Sequence, residues 1–77
     1  MELLDISQEI LESNYKIIRI GDSLIDFEYK GNRIEFTVHE NFLYISKNGH
    51  LRGEPKISLN DPNLIVMAQM YMDENFR

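Results

Sequence analysis

Cysteine is absent from this chain, so no disulfide and no thiolate zinc site holds it together. Glycine is scarce. The four glycines, Gly21, Gly31, Gly49 and Gly53, each sit beside a turn residue, and none forms a GxGxxG or Walker loop. Positive charge is also sparse: eight Lys and Arg face thirteen Asp and Glu, for a net charge of −5. Phosphate contacts need clustered Lys and Arg, so direct nucleic-acid binding is disfavoured. No long hydrophobic run occurs. The longest is Leu64–Ala68, far short of a membrane span. The first residues, MELLDISQEI, are acidic where a secretory leader would be basic, so a cytoplasmic setting is expected.

What is present suits a small globular protein. An apolar fraction of 43% argues against disorder, and 77 residues make one domain, spanning 1–77. A chain this short buries only about 60% of its unfolded surface, so its stability is expected to be marginal.

Periodicity gives the order of elements. Over Glu2–Ser13, Leu3, Leu4, Ile6, Ile10 and Leu11 fall in one helical arc. Glu2, Asp5, Glu9 and Glu12 fall in the opposite arc, and Asn14 is a suitable stop. Four strands are expected next, at Tyr15–Ile20, Leu24–Lys30, Arg33–Glu40 and Phe42–Lys47. Gly21-Asp22, Gly31-Asn32, Glu40-Asn41 and Asn48-Gly49 punctuate them.

Alternation assigns Ile25, Phe27, Tyr29, Ile34, Phe36 and Val38 to one buried face, joined by Ile18, Ile20, Leu43 and Ile45. Asp26, Glu28, Lys30, Arg33, Glu35, Thr37 and His39 take the polar face, which Tyr15, Ile17, Phe42 and Tyr44 are expected to share. Gly53–Asn60 supplies a loop and a short edge strand, a fifth. Asp61-Pro62 then opens a last helix, with Asp61 as N-cap and Pro62 in the first turn. The fold class is α+β: an antiparallel meander of four or five strands flanked by an N-terminal and a C-terminal helix.

Chemistry-bearing patterns are few. His39 and His50 have no nucleophile or carboxylate at a spacing that signals catalysis. No HExxH or EF-hand pattern occurs. The chain is therefore expected to be no enzyme and to use no metal or cofactor.

The informative segment is the last helix, DPNLIVMAQMYMDENFR (Asp61–Arg77). Leu64, Ile65, Ala68, Tyr71, Met72 and Phe76 fill one broad face, and Val66, Met67 and Met70 gather on the other. A helix apolar all round is buried on both sides or faces a partner. Unbranched Met side chains adapt to a partner's shape. Charge is uneven as well. Residues 1–14 carry −4, residues 15–56 carry +1 and residues 57–77 carry −2, so acidity collects on the two helices.

The stretch QEILESNYKIIRIG (Gln8–Gly21), with the strands to Lys47 and the terminal helix, resembles small acidic phage proteins of the type II-A anti-CRISPR kind in size, charge and element order. The resemblance covers about half the chain and includes no diagnostic motif. It implies a non-catalytic inhibitor whose acidic surface occupies a basic nucleic-acid site. The near-neutral sheet and the apolar final helix depart from that pattern.

The leading expectation is a non-enzymatic module that binds a protein partner, or itself as a homodimer, through Val66, Met67 and Met70. The alternative is an acidic inhibitor of a nucleic-acid-binding protein, acting through Glu2, Asp5, Glu9 and Glu12. Phe42 and Tyr44, on the outer sheet face, are a further candidate contact.

Overall fold

The computed structural model describes residues 2–12, 14–47 and 56–75. It contains helix α1 (Leu3–Leu11), strands β1 (Tyr15–Ile20), β2 (Leu24–Tyr29), β3 (Asn32–His39), β4 (Phe42–Lys47) and β5 (Lys56–Ser58), and helix α2 (Leu64–Asn75). The fold is α+β, and the five antiparallel strands lie in chain order. The expected Asn48-Gly49 turn, His50, Gly53 and Phe76 lie outside the described residues.

Two tight turns set the register of the central hairpins. Lys30 and Gly31 both have positive φ, 50° and 79°, as do Glu40 and Asn41, 50° and 66°. Such pairs match the twist of the flanking strands. The first turn falls one residue earlier than the sequence suggested, and Asn32 pairs with Tyr29 inside the ladder. The second turn places His39 opposite Phe42 and Thr37 opposite Tyr44, as expected.

The core lies between the sheet and both helices. Phe27, Ile34, Phe36, Leu43 and Ile45 are fully buried, and the Phe27 and Phe36 rings meet edge-on at 4.7 Å. Helix α1 rests on β2 and β3, and α2 packs on α1 and β5. Ser7 is buried within α1, where its hydroxyl donates to the Leu3 carbonyl at 2.8 Å. Glu12 and Asn14, at φ 60° and 67°, turn the chain out of the helix.

Three expectations are corrected. First, Tyr15 and Ile17 lie on the helix side of the sheet. Tyr15 pairs with Tyr29 and Ile17 with Phe27, and the Tyr15 ring meets the Phe27 edge at 6.2 Å. The register then shifts between Ile17 and Arg19, skipping Ile18. A bulge of this kind breaks period-2 alternation, so simple counting assigned the strand's first half to the wrong face.

Second, Ile18 and Ile20 are 51% and 58% exposed. Ile18 falls at the bulge, and Ile20 pairs with buried Ile25 on the expected helix side, beside Leu3 and Leu4, but stays open at the sheet edge. Third, α2 starts later than Asp61-Pro62 implied. The Asp61 carboxylate accepts from the Asn63 N–H at 2.8 Å, and the Leu64 N–H bonds the Asp61 carbonyl. This turn delays the helix until Asn63, whose carbonyl accepts the first regular bond, from Met67.

Candidate protein-binding surface

Helix α2 buries one stripe and leaves another open. Leu64, Ala68 and Met72 face the core, with Ile65 and Tyr71 half-buried beside them. Val66, Met67 and Met70 are 55%, 42% and 58% exposed. They are therefore surface residues rather than core, because the first helix packs beside α2 and does not cover its back. Helical spacing interleaves Asp73 and Glu74 with this apolar arc.

The acidic face of α1 borders it. Glu2, Asp5, Glu9 and Glu12 are all exposed, as the wheel implied. The Gln69 amide of α2 donates to the Glu9 carbonyl at 3.1 Å and to a Glu12 carboxylate oxygen at 3.2 Å. The two helices run in the same direction. Ile6 and Ile65 share a cavity of about 420 Å³ near the helix starts, which Leu59 and Asp61 also line. Glu12, Gln69 and Asp73 share a second of about 200 Å³ near the helix ends. The apolar arc and the acidic stripe, which the sequence offered as rival surfaces, lie on two neighbouring helices that Gln69 joins.

That layer holds Glu2, Asp5, Glu9, Glu12, Asp73 and Glu74, and neither helix contains Lys or Arg. Every Lys and Arg among the described residues belongs to a strand or a strand turn: Lys16, Arg19, Lys30, Arg33, Lys47 and Lys56. Lys47 reaches the end of α2, where its ammonium donates to the Asn75 carbonyl at 3.0 Å. It complements the negative end of the helix dipole there.

Phe42 and Tyr44 sit elsewhere. Their register partners His39 and Thr37 place them on the sheet face turned away from the helices, half-buried by cross-strand packing. The Lys56 ammonium lies 4.3 Å from the Phe42 ring centroid. These two aromatics belong to no surface shared with Val66, Met67 and Met70. His39, exposed on the same face, lies 3.7 Å from the Glu40 carboxylate.

The outer sheet face also holds a cluster that alternation alone did not reveal. Asp26 is fully covered, though it lies close to the surface. One of its oxygens accepts from Arg33 at 3.0 Å and stands 3.0 Å from an Arg19 guanidinium nitrogen. Among the described residues, its other oxygen has no hydrogen-bond partner. Burial alone would push this carboxyl up. The Arg33 hydrogen bond and the charges of Arg19 and Arg33 outweigh burial and hold it below its ordinary value. The cluster ties β1, β2 and β3 together on the open face. The sequence signal was the hairpin spacing, which sets Arg33 diagonally across from Asp26.

Ile17, Ile18 and Ile20 form a second exposed apolar group, on the free edge of β1. Lys16, Arg19 and the bulge occupy the same strand, and these are devices that blunt an edge against further strand pairing. Among the described residues, no helix is long and apolar enough to cross a membrane. Comparison with known families, curated proteins and solved structures returns no match.

Proposed function

We propose that this chain is a non-enzymatic protein-binding module, cytoplasmic in setting, whose contact surface is the outward arc of α2. The observation that carries the reading is the exposure of Val66, Met67 and Met70 on a helix that already buries a separate stripe. A helix with one buried side needs no second apolar face for its own packing. Among the described residues, α2 packs on α1 and β5 and buries Leu64, Ala68 and Met72 in doing so. Exposed apolar side chains rimmed by polar groups mark contact sites, and Met suits a surface that must adapt.

The test pairs Met67→Glu with Met70→Lys. Circular dichroism and sedimentation establish that the variant is folded. Wild type and variant are then immobilised and exposed to lysate of the source cells. The reading expects a protein retained by wild type and lost by the folded variant. Equal retention by both, or no retention by either with wild type monomeric at all concentrations, contradicts it. An unfolded variant also contradicts it, since the arc would then be structural.

The acidic-inhibitor reading has its own support in the exposed stripe of Glu2, Asp5, Glu9 and Glu12. It shares the same layer, and it differs in requiring a basic nucleic-acid site as the target. Competition between this protein and nucleic acid for the retained partner separates the two.

A further inference from the structure

The chemistry of the occupant follows from what surrounds the apolar arc. This inference rests on the reading of α2 as a contact surface and goes further, to the kind of partner. Every charged side chain that α1 and α2 contribute is a carboxylate. Glu74 and Asp73 interleave with Met70 and Met67 on α2. Across the helix pair, Gln69, one helical turn from Val66, bridges to Glu9 and Glu12. A second copy docked on the same arc would bring two such layers face to face, a like-charge juxtaposition that costs rather than stabilises. A cationic partner meets complementary charge on both flanks and apolar contact in the middle.

The arc is also shaped for a narrow occupant. Val66 and Met70 are four residues apart on one helix face, and α2 spans roughly 18 Å at 1.5 Å per residue. A helix laid along α2 repeats apolar residues at three and four positions and leaves its polar face to the flanks. We infer that the helix layer docks a cationic amphipathic helix of another protein. Its apolar side would meet Val66, Met67 and Met70, and its Lys and Arg would meet Glu9, Glu12 and Glu74.

The test uses the full chain with ¹³C-methyl-labelled methionine. The probe is a synthetic helix of about 14 leucine and lysine residues in an amphipathic pattern, long enough to span α2. A companion peptide replaces every lysine with glutamate. The Leu/Lys peptide is expected to shift the Met67 and Met70 methyl resonances and leave buried Met72 unmoved. Between about 0.05 M and about 0.5 M salt the affinity should fall at least about tenfold. Glu9→Gln with Glu12→Gln should weaken it about threefold to tenfold while keeping an acceptor for Gln69. The Leu/Glu peptide should leave the methyl resonances in place.

Equal binding of the Leu/Glu peptide overturns the cationic occupant but leaves α2 as a contact surface. Shifts of Met67 and Met70 with protein concentration alone overturn it in favour of a second copy. If the Leu/Lys peptide moves neither resonance, the inference falls, and the contact-surface reading stands or falls on the retention experiment.

Discussion

The two helices share one layer and divide their residues differently. In α1, Ile6, Ile10 and Leu11 turn inward and Glu2, Asp5, Glu9 and Glu12 turn outward, so a single stripe meets the core and the rest meets water. In α2, Leu64, Ala68 and Met72 serve the core equally well, yet the outward arc repeats apolar residues. The contrast shows that the fold itself demands only one apolar stripe per helix. The described residues leave the second stripe of α2 exposed, which is the ground for proposing that it serves a partner.

The largest expected effect comes from emptying the centre of the core. Phe36 is fully buried against Phe27, and Phe36→Ala should cost about 3–5 kcal/mol, most of the stability of a small domain. A denaturant midpoint equal to wild type would place the core elsewhere. A comparable loss is expected within α2 itself. Ala68 is fully buried, and Ala68→Glu should unfold the chain by placing an unpaired charge in the core. A folded Ala68→Glu variant in circular dichroism would erase the distinction between the inward and outward arcs.

An intermediate effect is expected on the opposite side of the sheet. Asp26 has a folded-state pKa held below its ordinary value by Arg33 and Arg19. Its contribution is therefore present above the unfolded pKa and is lost as pH falls through the lower folded one. Asp26→Asn should cost about 1–3 kcal/mol at neutral pH. It should also flatten the acid limb of the stability curve below the ordinary carboxylate range. An acid limb unchanged in the variant would remove Asp26 from the account.

Smaller still is the expected change in stability from Met67→Glu with Met70→Lys, within about 0.5 kcal/mol, because both positions are exposed and helix-tolerant. A denaturation curve checks it. The least change should come from Glu9→Gln with Glu12→Gln. It should slightly favour α1 by removing negative charge near its C-terminal end, by a few tenths of a kcal/mol. A melting temperature lower than wild type would show those carboxylates to be structural.

Much of this architecture was readable from the residues. Alternation from Leu24 to Lys47 gave β2, β3 and β4 and their buried faces, because tight two-residue turns keep the register regular. The amphipathic arcs of α1 were equally clear. Counting failed at β1, where the bulge at Ile18 moves Tyr15 and Ile17 to the helix side, and where Ile20, on the expected face, is still exposed at the sheet edge. A bulge breaks the alternation, and in a strand such as YKIIRI the residues do not show where the break falls.

Asp26 was placed on the correct face but read as solvated. Its burial comes from two guanidiniums lying over it, a tertiary fact. For the candidate site, the sequence identified both the apolar arc and the acidic stripe. Their adjacency depends on α1 and α2 running parallel, and Gln69, which joins them, carried no signal of its own. Phe42 and Tyr44 lie on the outer sheet face, where alternation placed them, away from the helix layer.

The claim that α2 keeps its second stripe for another protein is tested most directly by methionine-oxidation footprinting of the chain alone and of the chain recovered with its retained partner. Oxidation follows accessibility, so in the free chain Met67 and Met70 should oxidise well ahead of buried Met72. In the complex, Met67 and Met70 should become as slow as Met72. Undiminished oxidation of both residues in the complex would contradict the account.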